Sequence, residues 1–111
     1  MFGFGKKKYI NNFEKADKFL ESYAVKVVSL MPLTKENETV TKALNKLKES
    51  FVFAITPPQN KEVIEYQKKI ETRFTELENV LEEGDWDEAD VLRRISLIEK
   101  ALIGLTAVIA K

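Results

Sequence analysis

Cysteine and histidine are both absent from the 111 residues. Without cysteine there can be no disulfides, thiolate nucleophiles or thiolate metal sites, and a small secreted domain usually carries disulfide staples. A reducing, cytoplasmic setting is the expectation. Without histidine the commonest general base and the usual imidazole ligand for zinc, iron or copper are gone as well. Proline (3) and glycine (4) are scarce, which leaves long stretches free of breakers and favours helices over the frequent turns of a β-sandwich. Long apolar runs are missing too. The stretch Ala101 to Ala110 is uncharged but shorter than the roughly 20 residues a membrane-spanning helix needs. Lys6, Lys7 and Lys8 lead into the polar run Tyr9 to Glu14, where a secretory signal would place its apolar core.

Net charge is zero, with 18 basic and 18 acidic residues, so the overall basic excess of a dedicated nucleic-acid binder is lacking. The balance is uneven along the chain. Residues 1–56 hold 10 lysines against 6 acids, and residues 57–111 hold 8 basic residues against 12 acids. Such halves can complement each other within one bundle or across two molecules.

What is present is enough for one folded domain: 44% apolar and 32% charged residues supply both a core and a solvated exterior. Residues 1–8, with two glycines, a lysine triplet and no helical period, read as a mobile tail. Phe2, Phe4 and the lysines give that tail the makings of a weak membrane-surface contact. Residues 9–111 read as a single helical domain.

Helix 1 is predicted from about Asn11 to Leu30, its stripe Phe13, Ala16, Leu20, Tyr23, Val27 and Leu30 recurring at steps of three and four. Pro32 ends it. Helix 2 is predicted from about Thr34, burying Val40, Leu44, Leu47, Phe51 and Ala54. Residues 51–55 are aromatic and β-branched enough for a short strand, but they continue the helical spacing. Thr56 as cap, Pro57 at the first position and Gln59 three after the cap mark the start of helix 3. Val63, Ile70, Phe74, Leu77 and Leu81 form its inner stripe, and Gly84 stops it. Helix 4 is capped by Asp85 or Asp87 and buries Val91, Ile95, Ile98, Leu102, Leu105 and Ile109. A second seam of Leu97, Ala101, Gly104 and Val108 lets it meet two neighbours. The fold class is therefore all-α, an up-and-down four-helix bundle, with a three-helix bundle and a loosely packed extra helix as the alternative.

Between Arg73 and Arg93 stand eight acids and no base: Glu76, Glu78, Glu82, Glu83, Asp85, Asp87, Glu88 and Asp90. The last six crowd one turn and form the candidate metal set, since Mg²⁺ and Ca²⁺ favour carboxylate oxygens. The calcium-loop pattern fails, because counting from Asp85 its glycine position holds Asp90. Glu62-x-x-Glu65 and Asp87-x-x-Asp90 loosely resemble the paired acidic motifs of all-helical metal-dependent nucleotide pyrophosphatases. The Gly84 turn, however, would hold those pairs roughly 24 Å apart on antiparallel helices. Gly84 to Ala89 is similar to a tetratricopeptide turn, without the repeat or its buried positions.

Trp86 beside the turn is a candidate contact residue, or else folds back over the core. Ile103, Ala107 and Ala110 lie on the side of helix 4 that neither seam uses, and mark a candidate homodimer face. The four serines have no histidine to activate them. The expected function is thus a non-catalytic interaction or accessory protein that binds another protein or itself, with no cofactor. The competing expectation is a Mg²⁺- or Mn²⁺-dependent hydrolase acting on a phosphorylated small molecule.

Overall fold

The computed structural model describes residues 18–54 and 61–108. Helix α1 covers 18–30 and passes into a single 3-10 turn at Met31–Thr34; α2 is Glu38–Phe53, α3 Lys61–Glu83 and α4 Glu88–Ala107. Among the described residues these four helices pack as an up-and-down bundle, and no strand occurs. The expected start of helix 1 with Phe13 and Ala16, the residues 1–8, the Thr56-Pro57 cap, Ile55, Ile109 and Ala110 lie outside the described residues.

Each predicted stripe turns inward. Leu20, Tyr23, Val27 and Leu30 of α1, Val40, Leu44, Leu47 and Phe51 of α2, Val63, Ile70, Phe74, Leu77 and Leu81 of α3, and Val91, Ile95, Ile98, Leu102 and Leu105 of α4 are buried in one cluster. At its centre Tyr23 stacks on Phe51 with ring centres 5.7 Å apart and meets Phe74 edge-on at 5.0 Å. Helix α1 thereby bridges α2 and α3. Helix α4 packs most closely on α3 and also on α2.

The register follows from side-chain pairs. Tyr66 lies against Gly104, Arg73 Nη1 donates to the Leu97 carbonyl at 2.9 Å, and Arg94 sits 3.9 Å from Glu76. These pairs step in opposite directions along the two chains, so α3 and α4 are antiparallel. Asn37 Nδ2 donates to Glu88 Oε1 at 2.9 Å, joining the first residues of α2 and α4, which run parallel. Both described connections, the 31–37 turn and the Gly84 turn, gather at one end of the bundle.

Helix α2 begins four residues later than predicted. Thr34 is buried, 1% exposed; its hydroxyl donates to Met31 O at 3.1 Å and lies 2.9 Å from the Thr41 hydroxyl, while Thr41 Oγ1 donates to Thr34 O at 2.7 Å. With Thr34 so committed, Asn37 becomes the cap, accepting from Val40 N at 3.0 Å. Residues 51–53 are helical, as the spacing implied, and Ala54 turns extended with ψ 137°.

Candidate functional site

The acidic turn is built mostly by local needs. Gly84, with φ +82°, ends α3 in the left-handed region that glycine enters freely, its N–H reaching Leu81 O at 3.2 Å. Asp87, in extended conformation, caps α4 by accepting from Asp90 N at 3.0 Å. Asp90 in turn takes Arg94 Nε at 2.9 Å and Arg93 Nη2 at 2.8 Å. Those hydrogen bonds, Arg94's first and then Arg93's, hold its carboxyl below the usual carboxylate range. Glu88 accepts from Asn37. Glu82, Glu83 and Asp85 are exposed.

Among the described residues no three acidic side chains converge on a point where a metal ion could sit. The candidate set Glu82, Glu83, Asp85, Asp87, Glu88 and Asp90 is thus neighbouring in sequence but not gathered in space. Glu62 and Glu65 lie beside the Tyr66–Gly104 level of the α3–α4 pair, far from Asp87 and Asp90.

What the turn end does form is a cleft of about 460 Å³ between the 31–37 segment and the α3–α4 turn. Leu33, Leu81 and Trp86 supply its apolar lining, and Glu36, Glu82 and Lys35 its charged rim. Trp86 is half-buried with its apolar body against the core, so it both closes the end of the bundle and lines the cleft. No sequence pattern announces this cleft, because its two walls come from segments about 50 residues apart.

On α4, Ile103 is 66% exposed and Ala107 is exposed, on the side left over when Ala101 is buried and Gly104 receives Tyr66. Among the described residues six further large apolar side chains are exposed, and the three most exposed, Phe53 at 78%, Val25 at 64% and Val52 at 57%, escaped the sequence reading. The signal was there for two of them. Once Phe51, Val52 and Phe53 are helical, only one of three consecutive residues can face the core.

No described helix is long and apolar enough to cross a membrane. Comparison with known proteins finds no matching family model, no curated protein and no solved structure of significant similarity.

Proposed function

We propose that this chain is a non-catalytic, cytoplasmic interaction protein whose partner is another protein or a second copy of itself. The observation that carries the reading is the apolar surface remaining after the core is filled: Phe53, Ile103, Val25 and Val52 are each more than half exposed. Single exposed apolar residues are ordinary on a protein surface. On α4, however, Ile103 and Ala107 adjoin with no charge between them in the 103–107 segment. A twofold contact there would bury each residue twice, and covering one Ile side chain is worth about 1.5–3 kcal/mol.

Light scattering tests this directly. The wild type is expected to be a dimer at tens of micromolar, and Ile103→Lys to be a monomer with unchanged helical circular dichroism. A wild-type monomer, or a fully dimeric variant, removes this face as the interface. The hydrolase reading gains no support from the acidic turn, where capping, arginine pairing and Asn37 already engage Asp87, Asp90 and Glu88.

A further inference from the structure

We propose that the outer face of α1 and the cleft it leads into form a docking surface for an amphipathic helix of another protein, one whose apolar stripe ends in lysines or arginines. The proposal rests on reading the chain as an interaction protein, but not on the α4 face. At 100° per residue Ser22, Val25, Val28 and Ser29 share the side of α1 opposite its buried stripe, and exposed Pro32 continues that line into the 3-10 turn. From Ser22 to Pro32 the line carries no charge, and Val25 and Val28 are 64% and 48% exposed. A solvated helix face is normally charged, as the outer side of α2 is at Lys42, Lys46 and Glu49. The polar groups bordering the strip are engaged within α1. Ser29 Oγ donates to Lys26 O at 2.6 Å, and the Lys26 ammonium lies over the Tyr23 ring, 4.6 Å from its centre. The Ser29 hydroxyl therefore needs no water when the strip is covered.

Pro32 belongs to both the strip and the cleft, whose floor adds Leu33 and Trp86 and whose rim holds Glu36 and Glu82, with exposed Glu83 and Asp85 just beyond. Lys35 is the cation among its lining residues. The apolar track is thus neutral along α1 and acidic at its turn end. Ser22 to Pro32 span about 15 Å at about 1.5 Å per residue, so a partner helix of about four turns covers the strip and brings its end over the cleft. Basic side chains at that end meet Glu36 and Glu82, and one of them can lie over the face of Trp86. The same acids repel an anionic lipid surface, which favours a helix over a membrane as the occupant.

Trp86 is the single tryptophan, so acrylamide quenching of its emission reports on the cleft in the full-length protein. The probe is a synthetic helical peptide of about 15 residues, built from leucine, alanine and glutamine, with leucine at every third and fourth position and lysines in its last turn. It should protect Trp86 with a Kd of about 10–100 µM, and its counterpart with glutamates in that turn should bind at least about tenfold more weakly. Val25→Lys/Val28→Glu alters only exposed positions and leaves the net charge unchanged, yet should weaken the lysine peptide at least about tenfold. Glu36→Lys/Glu82→Lys should erase the preference between the two peptides. Both variants should keep the helical circular dichroism of the wild type. Equal binding of the two peptides by the wild type, wild-type affinity in the Val25/Val28 variant, or no binding of the lysine peptide at about 1 mM would each overturn the proposal. Flotation of the wild type, but not of that variant, with phosphatidylserine vesicles would overturn it in favour of a membrane. Ile103→Lys should bind the lysine peptide as the wild type does, so this surface and the α4 face can fail separately.

Discussion

Gly104 and Tyr66 set how closely α3 and α4 approach. A Cβ built on Gly104 would fall 2.8 Å from Tyr66 Cζ, well inside contact distance. Gly104→Ala therefore brings two opposed effects. Helix propensity favours alanine by about 1 kcal/mol, and displacing a packed ring costs about 1–3 kcal/mol. A net loss of about 1 kcal/mol in urea denaturation is expected, and in a Tyr66→Ala background the same substitution should become stabilising. Tyr23 offers a second test at this scale. Burial, with Glu71 and then Glu78 adding repulsion, pushes its hydroxyl from 10.0 up to about 12. The folded state thus keeps a proton that the unfolded state has already released. This contribution is intact below pH 10 and is lost as pH rises from about 10 to about 12. Stability of the wild type should fall over that window more steeply than that of Tyr23→Phe; parallel curves would show that Tyr23 is not the group responsible.

Helix boundaries are settled by which polar side chain wins the cap. Asn37 both caps α2 through Val40 N and bonds Glu88 at the start of α4. Asn37→Ala should cost about 0.5–2 kcal/mol for the cap, whereas Glu88→Ala, losing only an exposed contact, should cost less than half of that; equal losses would make the inter-helix bond the larger effect. The sequence was legible wherever one period governed: Val40 to Phe51 of α2, the whole inner stripe of α3, Val91 to Leu105 of α4 and the Gly84 stop are as read, and Asp87 takes the cap offered to it or Asp85, whereas Ala54 lies past the end of α2, extended and only partly buried. It was misread at Thr34. A threonine ahead of an apolar period suits a helix start, but here its hydroxyl donates to Met31 O within the 3-10 turn and lies 2.9 Å from the Thr41 hydroxyl, a contact that exists only once that turn has packed against α2. The cleft was invisible for the same reason. Trp86 and Leu33 are brought together by the bundle, not by any local pattern.

At the scale of the molecule, acids crowd one end of the bundle's long axis. The turn end collects Glu82, Glu83, Asp85, Asp87, Glu88 and Asp90, whereas the other end carries both signs, Lys18, Lys48, Lys61 and Lys68 beside Glu21, Glu49, Glu62 and Glu65. Core contacts cut across this axis, since Tyr23 touches α2 and α3 together and α4 packs on both α2 and α3. Neither the α1–α2 hairpin nor the α3–α4 hairpin closes its own core. The two should therefore unfold as one unit, as small domains with a shared core do. Trp86 lies in the second hairpin and Phe51 near the far end of α2 in the first, so the pair makes a long-range test. Phe51→Ala should remove about 3–5 kcal/mol, a large part of the roughly 5–15 kcal/mol typical of domain stability. It should shift the Trp86 fluorescence transition and the helical circular dichroism transition in urea by the same amount. If the Trp86 transition stayed at its wild-type midpoint while part of the dichroism was lost earlier, the α3–α4 hairpin would be stable by itself, and the aromatic junction at Tyr23 would not couple the two halves.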